Sequence, residues 1–131
     1  MIRPKAPLLA LLLLVAGCEP GAPRTDPEFE QVIVPILNRH CVMCHMDEGA
    51  QGDFSLHPQP YAALVGMSSS QADMPMVTPG DVQASYFYHK LIGSHLDVGG
   101  EGESMPYQRD LLAVEELNTI EQWIAQGANN N

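Results

Sequence analysis

FEQVIVPILNRHCVMCH, residues 29–45, joins a helical repeat to two thiols and an imidazole. Phe29, Val32, Ile33, Ile36 and Leu37 recur at three- and four-residue spacing, which puts them on one face of a helix. Pro35 has no amide hydrogen and its ring crowds the preceding turn, so the helix is expected to kink or divide there. Ahead of it, Asp26-Pro27-Glu28 reads as a helix start, with an Asp N-cap, Pro at the first helical position and an acid in the first turn. The helix then runs directly into Cys41-Val42-Met43-Cys44-His45.

Four readings compete for two cysteines at this spacing. A thioredoxin-like redox pair sits at a strand-to-helix turn in a βαβ unit, and the chain has no βαβ pattern. A structural zinc site needs four ligands, and His40, His57, His89 and His95 stand in no paired spacing with the cysteines. A disulfide across two residues closes a short, strained loop. The fourth reading is haem attachment, because C-x-x-C-H is the c-type haem signature. Two thiols on one helical turn can each form a thioether with a haem vinyl group. The adjoining His45 then projects beneath the iron as a ligand. Covalent attachment suits a small exported chain, which would otherwise lose its haem and whose core gains the apolar area of the macrocycle.

The N-terminus points to export. Arg3 and Lys5 precede an apolar stretch, Leu8 to Val15, that is too short to span a bilayer and has the layout of a secretory signal. Val15-Ala16-Gly17-Cys18 resembles the lipobox of bacterial lipoproteins, in which the signal is cut before a cysteine that then carries lipid. Residues 1–17 are accordingly expected to be a signal peptide, Cys18 the lipidation site, 18–25 a lipidated tether, and 26–131 one domain. Several acyl chains, each contributing roughly 0.8 kcal/mol per buried CH₂, anchor such a chain stably. Lipid on Cys18 also leaves Cys41 and Cys44 as the one remaining pair of the three cysteines. Glu19 rather than Asp follows Cys18, which resembles sorting to the outer membrane of a diderm bacterium. The expected location is the periplasmic side of a bacterial membrane, outer rather than inner.

Composition bounds the rest. With 6 Lys and Arg against 16 Asp and Glu, the net charge of −10 argues against nucleic acid, whose phosphates need clustered cations. No acidic run stands out, so the charge belongs to a folded surface. The 11 Gly and 11 Pro place much of the chain in loops. Helices are expected at residues 61–65, ended by Gly66; at 86–92, capped by Ser85 and ended by Gly93; and at 114–126, ended by Gly127. In the last, Val114, Leu117, Ile120 and Ile124 line one face with Trp123 beside them. No segment reads clearly as a strand, and the expected class is all-α.

Taken with PYAALVG, VTPGDVQASYFYHKLIG and MPYQRDLLAVEELNTIEQWIAQGA in that order, the opening stretch resembles single-haem class I-like cytochrome c domains over about residues 29–128. The resemblance implies a small cytochrome c-like fold, with crossed N- and C-terminal helices and a haem in a crevice. It implies one haem c held through Cys41 and Cys44, with His45 and Met105 as metal ligands. Both Met74 and Met105 precede Pro, so local sequence does not separate them. The resemblance places the ligand shortly before the last helix, which favours Met105 over Met74 or Met76. It further implies an electron-transfer protein rather than an enzyme, docking redox proteins at an exposed haem edge. The acidic balance would steer basic partner surfaces. Two other readings stay open: a haem enzyme or sensor with an open or displaceable sixth ligand, and a haem domain that mainly anchors an assembly.

Trp123, Tyr86, Tyr88 and Lys90 are secondary candidates for contacts to the haem propionates. One departure from the family pattern stands out. Many such domains carry a Gly-Pro-Leu type segment soon after the haem motif, whose Pro carbonyl orients the ligand histidine. Here the segment reads MDEGAQGDFSLHPQ, with no Pro before Pro58, so sequence leaves the partner of His45 unidentified.

Overall fold

The computed structural model describes residues 26–46 and 50–131. The expected signal peptide at 1–17, the expected lipidation site Cys18 and the expected tether at 18–25 lie outside the described residues. Among the described residues there are four α-helices: α1 (Val34–His40), α2 (Pro60–Leu64), α3 (Tyr86–Ile92) and α4 (Val114–Ala125). A π-helical turn, Phe29–Ile33, leads into α1, and short 3₁₀ turns lie at Gln51–Asp53 and His95–Val98. No described segment is a strand; there are only isolated bridges such as Val65 with Val77. The fold is all-α. No described helix is long and apolar enough to cross a membrane.

Pro35 explains the division of the first helix. It occupies the first turn of α1, where a missing N–H leaves no bond unmade. The turn before it winds wider, and the N–H of Val34 donates to the carbonyl of Phe29, five residues back.

The start of this helix corrects the sequence reading. It begins at Phe29; Glu28 is extended, and no side chain of the 26–28 segment caps it. Asn131 does so from the far end of the chain. Its side-chain Oδ1 accepts the Phe29 N–H at 3.0 Å, and its backbone carbonyl accepts the Glu30 N–H at 3.1 Å. The chain after α4 is held over this helix end because Trp123 Nε1–H donates to the Asn129 carbonyl at 3.0 Å.

The core forms where the two ends meet. The Phe29 ring lies 5.3 Å from Trp123 and 5.2 Å, edge-on, from Tyr61, centroid to centroid. Ile33, Leu37, Ile120 and Ile124 are buried around them. Val114 does not join this face as expected, and stays 66 % exposed, because the first turn of α4 overhangs the core.

At the other end of this packing, Arg39 and His40 at the close of α1 bracket Glu116 in the first turn of α4. Arg39 Nη1–H donates to the carboxylate, and His40 Nε2 stands 3.0 Å from it. Burial alone would raise the Glu116 carboxyl, but the bond and charge of His40 and the charge of Arg39 outweigh it and hold the group below its ordinary range. A depressed carboxyl stabilises the fold above its unfolded value near 4.5, and that contribution is lost as pH falls through the folded value. Glu116→Gln is therefore expected to flatten the acid limb of the urea midpoint against pH, by a small margin because the pair is partly solvated. An unchanged acid limb would show that the bracket carries no stability.

α3 is capped by backbone rather than by Ser85. Its first N–H groups, those of Tyr86 and Phe87, donate to the carbonyls of Pro75 and Met76 at 3.0 and 2.9 Å. Ser85 occupies the N-cap position, but its hydroxyl turns back into the preceding loop. There it donates to the Asp81 carbonyl at 2.7 Å and accepts the Thr78 N–H at 2.9 Å. The loop before α3 is thereby fixed to the helix, and one wall of the site with it.

Candidate functional site

The end of α1, the loop at residues 52–56, the loop at 67–71, the inner face of α3 and the segment 102–109 enclose a cavity of about 440 Å³. Cys41, Cys44, His45 and Met105 all line it. Apolar wall comes from Phe54, Leu56, Ala63, Phe87, Leu91 and Pro106.

The C-x-x-C-H segment continues the first helix as a tight turn. The Cys44 N–H donates to the Cys41 carbonyl at 3.2 Å, and the His45 N–H is shared between the carbonyls of Cys41 and Val42 at 3.2 and 3.1 Å. Both cysteines are free thiols, Cys41 half-buried and Cys44 exposed. Burial, then the neighbouring Cys44 and Glu116, push the Cys41 thiol up to about 12. A thiol held protonated in this way is a poor attacking group for disulfide exchange.

His45 is held by the loop at residues 52–56. Its Nδ1–H donates to the Phe54 carbonyl at 2.8 Å. The Phe54 ring stands edge-on 5.3 Å away, and the Leu56 N–H donates to the His45 carbonyl at 2.7 Å. A carbonyl can only accept, so Nδ1 carries the proton and Nε2 keeps its lone pair for a metal. Phe54 thus supplies the orienting carbonyl that sequence left unidentified. No sequence signal could have named it, since every residue has a carbonyl and only the loop path selects one.

Of the other histidines, His40 also lines the cavity, with its Nε2 3.0 Å from the Glu116 carboxylate. His89 Nε2–H donates to the Gln83 carbonyl at 2.9 Å and its Nδ1 accepts from Ser94 at 2.7 Å. His95 Nε2–H donates to the Gly102 carbonyl at 2.9 Å. His57 is exposed, and none of these three lines the cavity.

Among the methionines, Met67, Met76 and Met105 line the cavity and Met74 does not. The Met105 N–H donates to the Lys90 carbonyl at 2.8 Å, which ties this loop to α3. Met43 is 71 % exposed, and its sulfur accepts from Arg109 Nη2 at 3.4 Å. Of the secondary candidates, Tyr86 and Lys90 line the cavity. Tyr88 instead donates its hydroxyl to Glu121 of α4 at 2.9 Å. Trp123 packs on Phe29, and its N–H is taken by Asn129.

These residues fit a c-type haem. The cavity lies within the ~300–1,000 Å³ typical of ligand pockets, its wall is mainly apolar, and it offers two thiols, the Nε2 lone pair of His45 and the thioethers of Met67, Met76 and Met105. Among the described residues no three His, Cys, Asp or Glu side chains gather in a group that would hold a bare metal ion. A haem iron asks less of the protein, one or two axial ligands. Comparison with family models, with curated proteins and with solved structures yields no match to this chain.

Proposed function

We propose that this chain is a monohaem c-type cytochrome with a cytochrome c-like fold, acting as a lipid-anchored electron carrier outside the cytoplasm. The observation that carries the reading is the convergence of Cys41, Cys44, His45 and Met105 on one mainly apolar cavity. A haem bound there would supply an iron that passes one electron between its ferric and ferrous states. The residues do the rest. Cys41 and Cys44 hold the macrocycle through thioethers. Phe54 fixes the tautomer and tilt of His45. Met105, tied to α3 through its own N–H, would offer its thioether as the second protein ligand to the iron. Redox proteins with basic surfaces are the partners that the acidic balance favours. Anchoring rests on Cys18, and Glu19 favours the outer membrane.

A pyridine haemochrome spectrum with the intact mass of the mature protein tests haem and lipid together. A mass without the haem increment overturns the reading. Met105→Ala tests the sixth ligand. The ferrous protein is expected to gain carbon monoxide binding that the unsubstituted protein lacks, and the midpoint potential to fall. Equal carbon monoxide reactivity before and after would instead favour an enzyme or sensor with an open site.

A further inference from the structure

Lys90 is a buried cation with no carboxylate in ion-pair contact among the described residues; burial works against its charge, and the nearby charges of Glu103 and Glu101 favour it. Lys90 is only 6 % exposed, yet both ion pairs formed among the described residues belong to Glu116, at the junction of α1 and α4. Its Nζ donates one hydrogen bond, to the Glu101 carbonyl at 3.0 Å, and stands 5.9 Å from the centre of the Tyr86 ring. An ammonium has three donors, so two are left over. Lysines are almost never buried unless paired, because desolvation penalises the lone charge heavily.

A second observation shows where a partner would sit. Gln71 Nε2 and Lys90 Nζ lie 3.6 and 3.7 Å from the point where a Cβ on Gly102 would stand. Gln71 Nε2 also lies 3.7 Å from the same point on Gly52. The Tyr86 hydroxyl donates to Gln71 Oε1 at 3.3 Å, which leaves the amide N–H groups of Gln71 free to donate elsewhere. All five residues line the cavity. Both glycines have positive φ, +72° and +74°, so a side chain at either would be strained, and the space beside the donors stays open.

We propose that Lys90 and Gln71 form the carboxylate-binding end of the cavity and take one propionate of the haem, with Lys90 as its counter-charge. The proposal rests on the haem reading above. A carboxylate offers up to four acceptor sites, which matches the unused donors of the ammonium and the amide. Held there, the positive charge of Lys90 opposes the extra charge of ferric iron and raises the potential. A free small anion would satisfy the same donors, and the test separates the two sources.

The test uses the full-length holoprotein with Lys90→Met and Lys90→Arg. In Lys90→Met the thioethers and the Met105-to-iron absorption are expected to persist, while the propionate bending modes in resonance Raman shift. The ferrous-to-ferric ratio at fixed ambient potential is expected to fall about tenfold, which is about 59 mV for one electron. Lys90→Arg is expected to recover most of both. If Lys90→Met fails to mature, Gln71→Leu is expected to move both readouts in the same direction. Unchanged propionate modes and potential, with haem and Met105 ligation intact, overturn the proposal alone. A saturable effect of added inorganic phosphate that Lys90→Met abolishes also overturns it, since a free anion then occupies the donors. Absence of covalent haem from the unsubstituted protein overturns the haem reading itself.

Discussion

A chain carrying Cys41→Ala and Cys44→Ala together is expected to mature without covalent haem. Acid–acetone extraction should leave it colourless, and its mass should be that of the lipidated polypeptide alone. The two thiols are the only cysteines among the described residues and both face the cavity. The loss should reach beyond colour. Without the macrocycle the mainly apolar wall of this cavity of about 440 Å³ is left facing water. The doubly substituted chain is therefore expected to lose fixed tertiary packing as well, read as loss of near-ultraviolet circular dichroism. A covalent haem retained in this variant would refute the assignment of both thiols.

Trp123→Ala is expected to cost about 3–5 kcal/mol, measured as a fall in the urea midpoint of the holoprotein. Trp123 is 1 % exposed and stacks against Phe29. Its N–H also holds the last turn of chain through Asn129, and Asn131 in turn caps the Phe29 end of the first helix. One substitution thus opens the core and releases a helix cap at a distance. A loss under about 1 kcal/mol, the low end for a buried side chain, would mean that the junction of the two ends is not what stabilises the fold. Haem attachment should survive, since Trp123 lies outside the cavity wall.

Sequence was most informative where local chemistry decides local structure. The spacing from Phe29 to Leu37, the break at Pro35 and the stops at Gly66, Gly93 and Gly127 all depend on backbone properties that neighbouring residues do not alter. Gly66, Gly93 and Gly127 indeed carry φ of 90°, 77° and 107°, values that L side chains rarely adopt. The caps failed as predictions for the opposite reason. Asp26 and Ser85 have the right side chains, but an N–H group is satisfied by whichever acceptor folding brings nearest. For Phe29 that is Asn131, and for Tyr86 it is the Pro75 carbonyl.

The site divides along the same line. C-x-x-C-H is a contiguous motif, so its residues and their order were legible without a fold. Met105 could be ranked above Met74 only by resemblance; the cavity excludes Met74 from its wall but admits Met67 and Met76. The carbonyl behind His45 and the donors at Gly102 left no trace in the sequence. A backbone carbonyl has no residue identity, and although sequence offered Lys90 as a propionate candidate, nothing in it showed that Lys90 is buried or that Gln71 stands beside it. By itself, then, the sequence determined the helical class, the breaks between helices and the thiol–imidazole motif, all set by short-range stereochemistry. Tertiary structure decided what caps each helix, which carbonyl orients His45, and that Lys90 is a buried charge, because those depend on distant segments brought into contact.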